Sequence, residues 1–361
     1  MFSIQKISIT QYKNYSFSTF EFGGRVTGVC GLNGKGKTNL LDAIHYCCFA
    51  KSYFARPDTM NVQFGADGFR LEALAQLQAR QHKIVCINRG MGKKELLLDD
   101  VPYEKFSHHI GKFPCVMIAP DDIELITGGS EERRRFIDTV ISQVDADYLQ
   151  QLIIYNKVLQ QRNSLLKRFA EQGKTDWPLL EVLDEQLVVP GQLIYQKRKQ
   201  FNAELIPLVQ RFYKQIAAND EIINLQYESQ LNEKDFHSLL NDHRNKDFIL
   251  QRSNAGIHKD DISLQLNGRV FKISASQGQR KSLLSALKLA EFELLRAKKG
   301  FAPLLLLDDV FEKLDDNRMQ NLLEWVCVNN EGQVFITDTH RERLEEALGK
   351  LGTAFEIIEL R

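Results

Sequence analysis

Residues 26–49 read VTGVC GLNGKGKT NLLDAIHYCCF, and this stretch decides the fold. Val26 to Cys30 is a short run with β-branched residues and reads as a strand. Gly31 to Thr38 matches the phosphate-loop pattern with its full Lys-Thr ending, and the residues after it have helical apolar spacing. Glycines let backbone N–H groups turn inward around phosphate oxygens, and the N-terminus of the following helix adds its own donors. The pattern assigns nucleotide binding to Gly31, Leu32, Asn33, Gly34, Lys35, Gly36, Lys37, Thr38 and Asn39. Lys37 reaches the β and γ phosphates, and the Thr38 hydroxyl holds Mg2+. The plainer reading is a glycine-rich turn with an exposed lysine, but strand before and helix after supply the context that a phosphate loop needs.

Two further motifs fit around this loop. Leu304 to Leu307 are four consecutive aliphatics, as in a central parallel strand buried on both faces, and Asp308 and Asp309 follow. Open α/β sheets bind ligands at the carboxyl ends of their strands, so Asp308 is expected to bind Mg2+ and Asp309 to polarise the attacking water. SQGQR, from Ser276 to Arg280, opens another helix with a serine and a glycine. Ser276 reads on its own as a helix cap. Between the other two motifs, Ser276, Gln277, Gly278 and Gln279 read as a second anion site, for the γ-phosphate held by a partner subunit.

Outward from these motifs the chain alternates in character. ISITQY and FSTFEF near the N-terminus read as strands, as do segments within 69–89 and 94–118, with a turn expected at 89–92. Gly128-Gly129 precedes a helix start at Ser130-Glu131-Glu132, with its acids in the first turn. From about Glu131 to Ala218 the pattern is helical, broken by a polar segment at 171–176, and reads as an antiparallel pair that Pro190-Gly191 should kink or interrupt. Strands return with INLQYES and DISLQLNGRVFKIS, where Asn267-Gly268 marks a hairpin. The expected organisation is a nucleotide-binding head at 1–125 and 223–361, split by a helical arm at 126–222.

Taken together, the motifs resemble the ABC-type ATPases of the SMC-like class, whose serine-glycine-glutamine signature completes a nucleotide site across a head-to-tail dimer. NGKGKTNLLDAI is similar to that class, LDDNR resembles its dimer-contacting loop with Asp315 at the key place, and His340 stands where the class carries a γ-phosphate switch residue. APDDIELITGGSEERRRFID, YNKVLQQRNSLLK and GIHKDDISL resemble segments of one family within it, the RecF recombination mediators. The resemblance implies an α/β ABC-type ATPase head with an inserted helical arm. It implies ATP and Mg2+ as cofactors, an ATP-dependent homodimer, weak DNA-stimulated ATPase activity with Asp309 and His340 catalytic, and clamping of duplex and gapped DNA. It further implies RecO and RecR as partners in loading RecA, and a nucleoid-associated location. Ser130 stands where that family usually has proline, and Phe311-Glu312-Lys313 departs from its usual small residue and acid. Asp309 stands where transporter ATPases carry glutamate, and the shorter base suits slow, switch-like hydrolysis.

Composition narrows the alternatives. Among 361 residues, Lys+Arg and Asp+Glu number 47 each, so bulk charge cannot drive binding to nucleic acid or an anionic membrane. Any nucleic-acid site is then a local basic patch. Arg133, Arg134 and Arg135 are candidates, with Arg162, Lys167, Arg168 and Lys197 to Lys199, against the plainer reading of solvated faces with acidic neighbours. Six cysteines lack metal or redox spacing and read as core thiols of a cytoplasmic protein. His258, Asp260 and Asp261 read as a polar turn and His108-His109 has no ligand spacing, so no structural metal is expected. The rival reading, an ATP-hydrolysing subunit of an ABC transporter, predicts a membrane partner. It also predicts a much shorter interval than the 238 positions between Thr38 and Ser276.

Overall fold

The computed structural model describes residues 1–55, 57–90, 93–173, 175–217, 221–311 and 316–360. The chain forms two compact units. The first comprises Met1–Ile123, Arg211–Asp220 and Ser276–Arg361, and the second Glu124–Gln210 and Glu221–Ala275.

In the first unit, strands β1 (Phe2–Tyr12) and β2 (Tyr15–Glu21) open an antiparallel sheet. Phe2, Ile4, Ile7 and Ile9 are fully buried, and a register shift between Ile4 and Lys6 carries the alternation across a bulge. β3 (Val26–Cys30) leaves this sheet and leads through the glycine loop into α1 (Lys37–Phe49). The antiparallel sheet is completed by β4 (Phe69–Leu77), β5 (Arg80–Arg89), β6 (Lys93–Leu98) and β7 (Val101–Pro102), in the order β2-β1-β4-β5-β6-β7. α1 packs against strands of this sheet and against β8 (Cys115–Ile118) of a second one. A helix covered on two sides must be apolar nearly all round, which is why Leu40, Leu41, Ile44, Cys47 and Cys48 are all buried. All six cysteines are free and buried, as a core role requires.

The second unit begins with the single-turn α2 (Glu124–Thr127), then α3 (Ser130–Val144), α4 (Ala146–Gln172) and the long α5 (Trp177–Ala217), whose residues from Arg211 onward belong to the first unit. Gly173 at φ 63° closes α4. The expected interruption at Pro190-Gly191 does not occur: α5 is a single helix with Pro190 and Pro207 inside it. Gly191 lies where any side chain would strike the Phe236 ring, a Cβ meeting it at 2.4 Å, so close packing holds the helix through its missing hydrogen bond. β9 (Ile223–Glu228), α6 (Phe236–Leu250), β10 (Asp261–Leu266) and β11 (Arg269–Val270) follow, and the single-turn α7 (Phe271–Ser274) ends the unit. Asn267 and Gly268, at φ 49° and 77°, form the two-residue turn joining Leu266 to Arg269, the hairpin expected from Asn-Gly.

This corrects the domain reading. Residues 223–275, expected in the head, belong to the second unit with the helices. Ion pairs hold them there: Arg162 to Asp247 and Arg198 to Asp260, both buried, and Arg133 to Asp261, half-buried.

The chain then returns to the first unit with α8 (Gln277–Lys299), β12 (Leu304–Leu307), α9 (Asp316–Cys327), β13 (Val334–Asp338), α10 (Arg341–Gly349) and β14 (Glu356–Glu359). The second sheet is parallel throughout, in the order β14-β3-β13-β12-β8. β12 is a central strand with Leu304 to Leu307 fully buried, as four consecutive aliphatics require. The register pairs Leu307 with Ile336 and Cys30 with Asp338, so β3, β13 and β12 end side by side. Sequence reading did not anticipate β14, a four-residue strand whose one signal is the preceding turn at Gly352, with φ 65°.

Candidate functional site

The three aligned strand ends bring the first two motifs together. Thr38, the second residue of α1, has its hydroxyl 3.0 and 2.9 Å from the two carboxylate oxygens of Asp308, the first residue after β12. Lys37 Nζ donates to the loop carbonyls of Gly31 at 2.8 Å and Leu32 at 3.4 Å. No side chain caps α1; Gly36 precedes it in a left-handed conformation, so the first-turn N–H groups keep their capacity to bind an anion.

The loop rests on a support that sequence reading missed. The turn after β1 carries Asn14, whose Oδ1 accepts from Asn39 at 2.7 Å, and β2 opens with Tyr15, whose hydroxyl donates to the Gly36 carbonyl at 3.1 Å. At Gly36, with φ 105°, a Cβ would lie 2.7 Å from Asn14 Nδ2 and 2.8 Å from the Tyr15 oxygen, so only glycine fits. Asp42, fully buried one turn into α1, anchors the same turn through Lys13 at 2.5 Å and the Tyr12 hydroxyl at 2.6 Å.

Thr337, at the end of β13 between the other two strands, was also missed. Its hydroxyl donates to Asp308 Oδ1 at 2.8 Å and accepts from the Asp309 N–H at 2.9 Å. The signal for it in the sequence is slight: one threonine in the buried run VFITD. Asp309 is half-buried with φ 45°, a left-handed conformation that costs a non-glycine residue ~1–2 kcal/mol. Burial lifts the Asp308 carboxyl to about 6; the Thr337 and Thr38 hydroxyls oppose the shift, and the neighbouring Asp309 adds to it.

The remaining candidates are held by local contacts. Ser276 and Gln279 form a reciprocal capping box on α8: the Ser276 oxygen accepts from the Gln279 N–H at 3.3 Å, and Gln279 Oε1 accepts from the Ser276 N–H at 2.7 Å. The cap reading of Ser276 is therefore correct, and it leaves the serine proton available to a ligand. Gln277 is exposed and Gly278 half-buried. Arg318, from α9, donates to Ser282 at 3.2 Å one turn further along. His340 is exposed, with Nδ1 2.8 Å from the Thr339 hydroxyl and its N–H on Asp338 at 2.7 Å. Asp315 lies outside the described residues, as do Glu312 and Lys313.

The arginine candidates are largely occupied. Arg133 makes a two-pronged pair with Asp261 at 2.6 and 2.9 Å, Arg134 donates to the Asp260 carbonyl at 2.6 Å, and Arg135 pairs with Glu131 and Glu132. Arg162 and Arg198 are buried and so present nothing to a ligand on the surface. Arg135 has the local acidic partners of the plainer reading, whereas Arg133 meets an aspartate remote in sequence and Arg134 a backbone carbonyl.

Comparison with known proteins agrees with this architecture. A family profile described as an AAA domain matches residues 6–351. The "DNA replication and repair protein RecF" of Flavobacterium johnsoniae is 43% identical over 357 residues, 99% of each chain. This chain belongs to the RecF family. A solved structure of the recombination mediator protein RecF-ATPrS in the RecFOR pathway superposes with a TM-score of 0.86 at 30% identity, covering 94% of this chain and 93% of that one. The Smc head domain of Pyrococcus furiosus gives 0.57 at 14% identity over 100% and 94%. That likeness shows the shared fold: an SMC-like ATPase head carrying a helical arm, here in its RecF form. Among the described residues no helix is long and apolar enough to cross a membrane.

Proposed function

We propose that this RecF-family chain is an ATP-dependent DNA clamp that acts in recombinational gap repair, the first unit serving as ATPase head and the second as arm. The observation that carries the reading is the convergence of Lys37, Thr38 and Asp308 on the carboxyl end of a parallel sheet, beside an uncapped helix N-terminus.

The hydroxyl and carboxylate oxygens of Thr38 and Asp308 are a donor set suited to a hard cation, and a buried carboxyl with a raised pKa gains from a nearby positive charge. Mg2+ held there would neutralise charge on the β and γ phosphates. Lys37 exchanges its loop carbonyls for phosphate oxygens, and the backbone of residues 31–36 encloses the β-phosphate. Asp309 orients the attacking water. Ser276, Gln277, Gly278 and Gln279 of a second copy close over the γ-phosphate, and His340 serves as its switch residue. Nucleotide then stabilises the dimer because both subunits touch it, and hydrolysis releases it. Duplex and gapped DNA are the clamped partners, and RecO and RecR the proteins with which RecA is loaded.

The test is light scattering coupled to gel filtration, for wild type and Lys37→Ala, with ATP, ADP or no nucleotide, with and without duplex or gapped DNA. A dimer that forms only with ATP, retains DNA and is lost in the variant supports the clamp. A wild-type chain that stays monomeric with ATP, or dimerises regardless of nucleotide and ignores DNA, sinks it.

A further inference from the structure

The buried hydroxyl of Thr337 spends both of its hydrogen-bonding functions on the end of the neighbouring strand. An amide N–H can only donate, so in the contact with Asp309 the Thr337 oxygen is the acceptor. Its single proton is then directed to Asp308 Oδ1. The direction of the chain is therefore fixed: Asp309 N–H to Thr337 oxygen, and Thr337 proton to Asp308. Thr337 is fully buried, and β13 is hydrogen-bonded on both sides, pairing Thr337 with Val29 of β3 and Ile336 with Leu307 of β12. The hydroxyl is thus held by the most constrained part of the sheet. What it holds is less settled by itself, because Asp309 occupies a left-handed conformation that side chains rarely adopt.

We infer that Thr337 is a positioning residue for hydrolysis, its hydroxyl locking Asp309 in the left-handed conformation that aims its carboxylate while orienting the Asp308 carboxylate. The inference rests on the proposed ATPase reading and goes beyond it, in naming a residue that acts through Asp308 and Asp309. Without the hydroxyl, the Asp309 amide loses its acceptor and Asp308 loses one of its two hydroxyl donors. Lys37 and the loop backbone lie on another element, so nucleotide binding stays while the alignment needed for hydrolysis goes.

Valine and serine replacements separate the hydroxyl from the packing. Thr337→Val keeps the shape and removes the hydroxyl, whereas Thr337→Ser keeps the hydroxyl; if the valine variant does not fold, Thr337→Ala takes its place. Two measurements are made. The first is hydrogen exchange of the Asp309 amide in nucleotide-free protein, and the second is single-turnover ATP hydrolysis beside ATP affinity. In Thr337→Val, exchange at Asp309 should quicken by about tenfold or more and hydrolysis should fall ~10- to 100-fold, with ATP affinity within about threefold. Thr337→Ser should remain near wild type in all three. Unchanged Asp309 exchange in the valine variant overturns the inference, as does a serine variant damaged equally, or ATP affinity that falls in step with hydrolysis. Wild type that binds ATP without hydrolysing it refutes the ATPase reading instead, and the exchange contrast still decides whether Thr337 holds Asp309.

Discussion

The interior of the second unit and the phosphate loop of the first both bury a cation and an aspartate but leave them in opposite states. Arg162 is fully buried and paired: Nε meets Asp184 at 2.5 Å, and Nη1 meets Asp247 at 2.7 Å and donates to the Ser253 hydroxyl at 2.9 Å, while Nη2 is buried without a hydrogen-bond partner. Arg198 is closed by Asp138, Asp260 and the Ile257 carbonyl. In the loop, Lys37 bonds to two carbonyls and Asp308 is held by two hydroxyls, all neutral partners that a phosphate or a cation can displace. Opposite charges buried against each other hold a fold together, whereas charges lodged among neutral groups stay ready for a ligand.

The comparison breaks most sharply at Arg162. Replacing it with methionine strands Asp184 and Asp247 in the interior, and loss of one partner of a buried pair costs ~3–5 kcal/mol. Chemical denaturation should show a loss of that size in Arg162→Met. A loss below about 1 kcal/mol would mean that the pairs do little for stability. Lys37→Ala should behave the other way. ATP affinity falls by the worth of one or two charge-assisted hydrogen bonds, ~1.5–3 kcal/mol each, while unfolding without nucleotide moves little. Titration with a fluorescent ATP analogue and a melting curve read the two effects separately. A melting-point drop as large as that of Arg162→Met would erase the distinction.

The same contrast explains what was legible beforehand. GLNGKGKT and LLLLDDV announce themselves because backbone geometry dictates their residues: glycine where no Cβ fits, aliphatics where a strand is covered on both faces. Arg133, Arg134 and Arg162 could not be assigned, because an arginine has the same local pattern whether it faces solvent or an Asp up to 128 positions away. The unit boundary failed for that reason, since the pairs drawing 223–275 to the helices are long-range. Thr337, Asn14 and Tyr15 were missed likewise: Thr337 meets its partners only once β13 and β12 align, and Asn14 and Tyr15 meet theirs only once α1 packs near β1. Pro190 does not interrupt the helix because its helix-breaking tendency is local, and the packing of Gly191 on Phe236 overrides it.

Glu291 in α8 sharpens the comparison, being a buried acid closed on one side only. Its Oε2 lies 3.8 Å from Lys288 Nζ, outside hydrogen-bond reach, while Lys288 also faces Tyr53 at 3.1 Å and Asp122 at 3.5 Å. Burial pushes the Glu291 carboxyl up to about 7; Lys288 opposes the shift and Asp122 reinforces it. The folded chain therefore holds a proton that the unfolded chain releases near 4.5. Stability from this group is complete below that value and is lost as pH rises towards 7, with a slope of at most about 1.4 kcal/mol per pH unit. Glu291→Gln should flatten this part of the profile, so that wild type and variant diverge from pH 5 to 7. Parallel denaturation profiles across that range would show that Lys288 keeps Glu291 charged.

The smallest effect is expected at Asp309, where the open site meets a backbone constraint. A longer base should reach the attacking water more readily, so Asp309→Glu should raise single-turnover hydrolysis a few-fold, about 0.5–1 kcal/mol in the barrier. The left-handed backbone works against the exchange, because aspartate tolerates that conformation better than glutamate does. The variant should accordingly lose about 1 kcal/mol of stability. Rate and melting temperature together separate two reasons for an aspartate at this position. Faster turnover with a lower melting point means that chain geometry and slow hydrolysis both favour aspartate. Unchanged turnover with the same melting loss means that the backbone alone does, and a switch-like rate must then be set elsewhere, by how firmly Thr337 holds the residue.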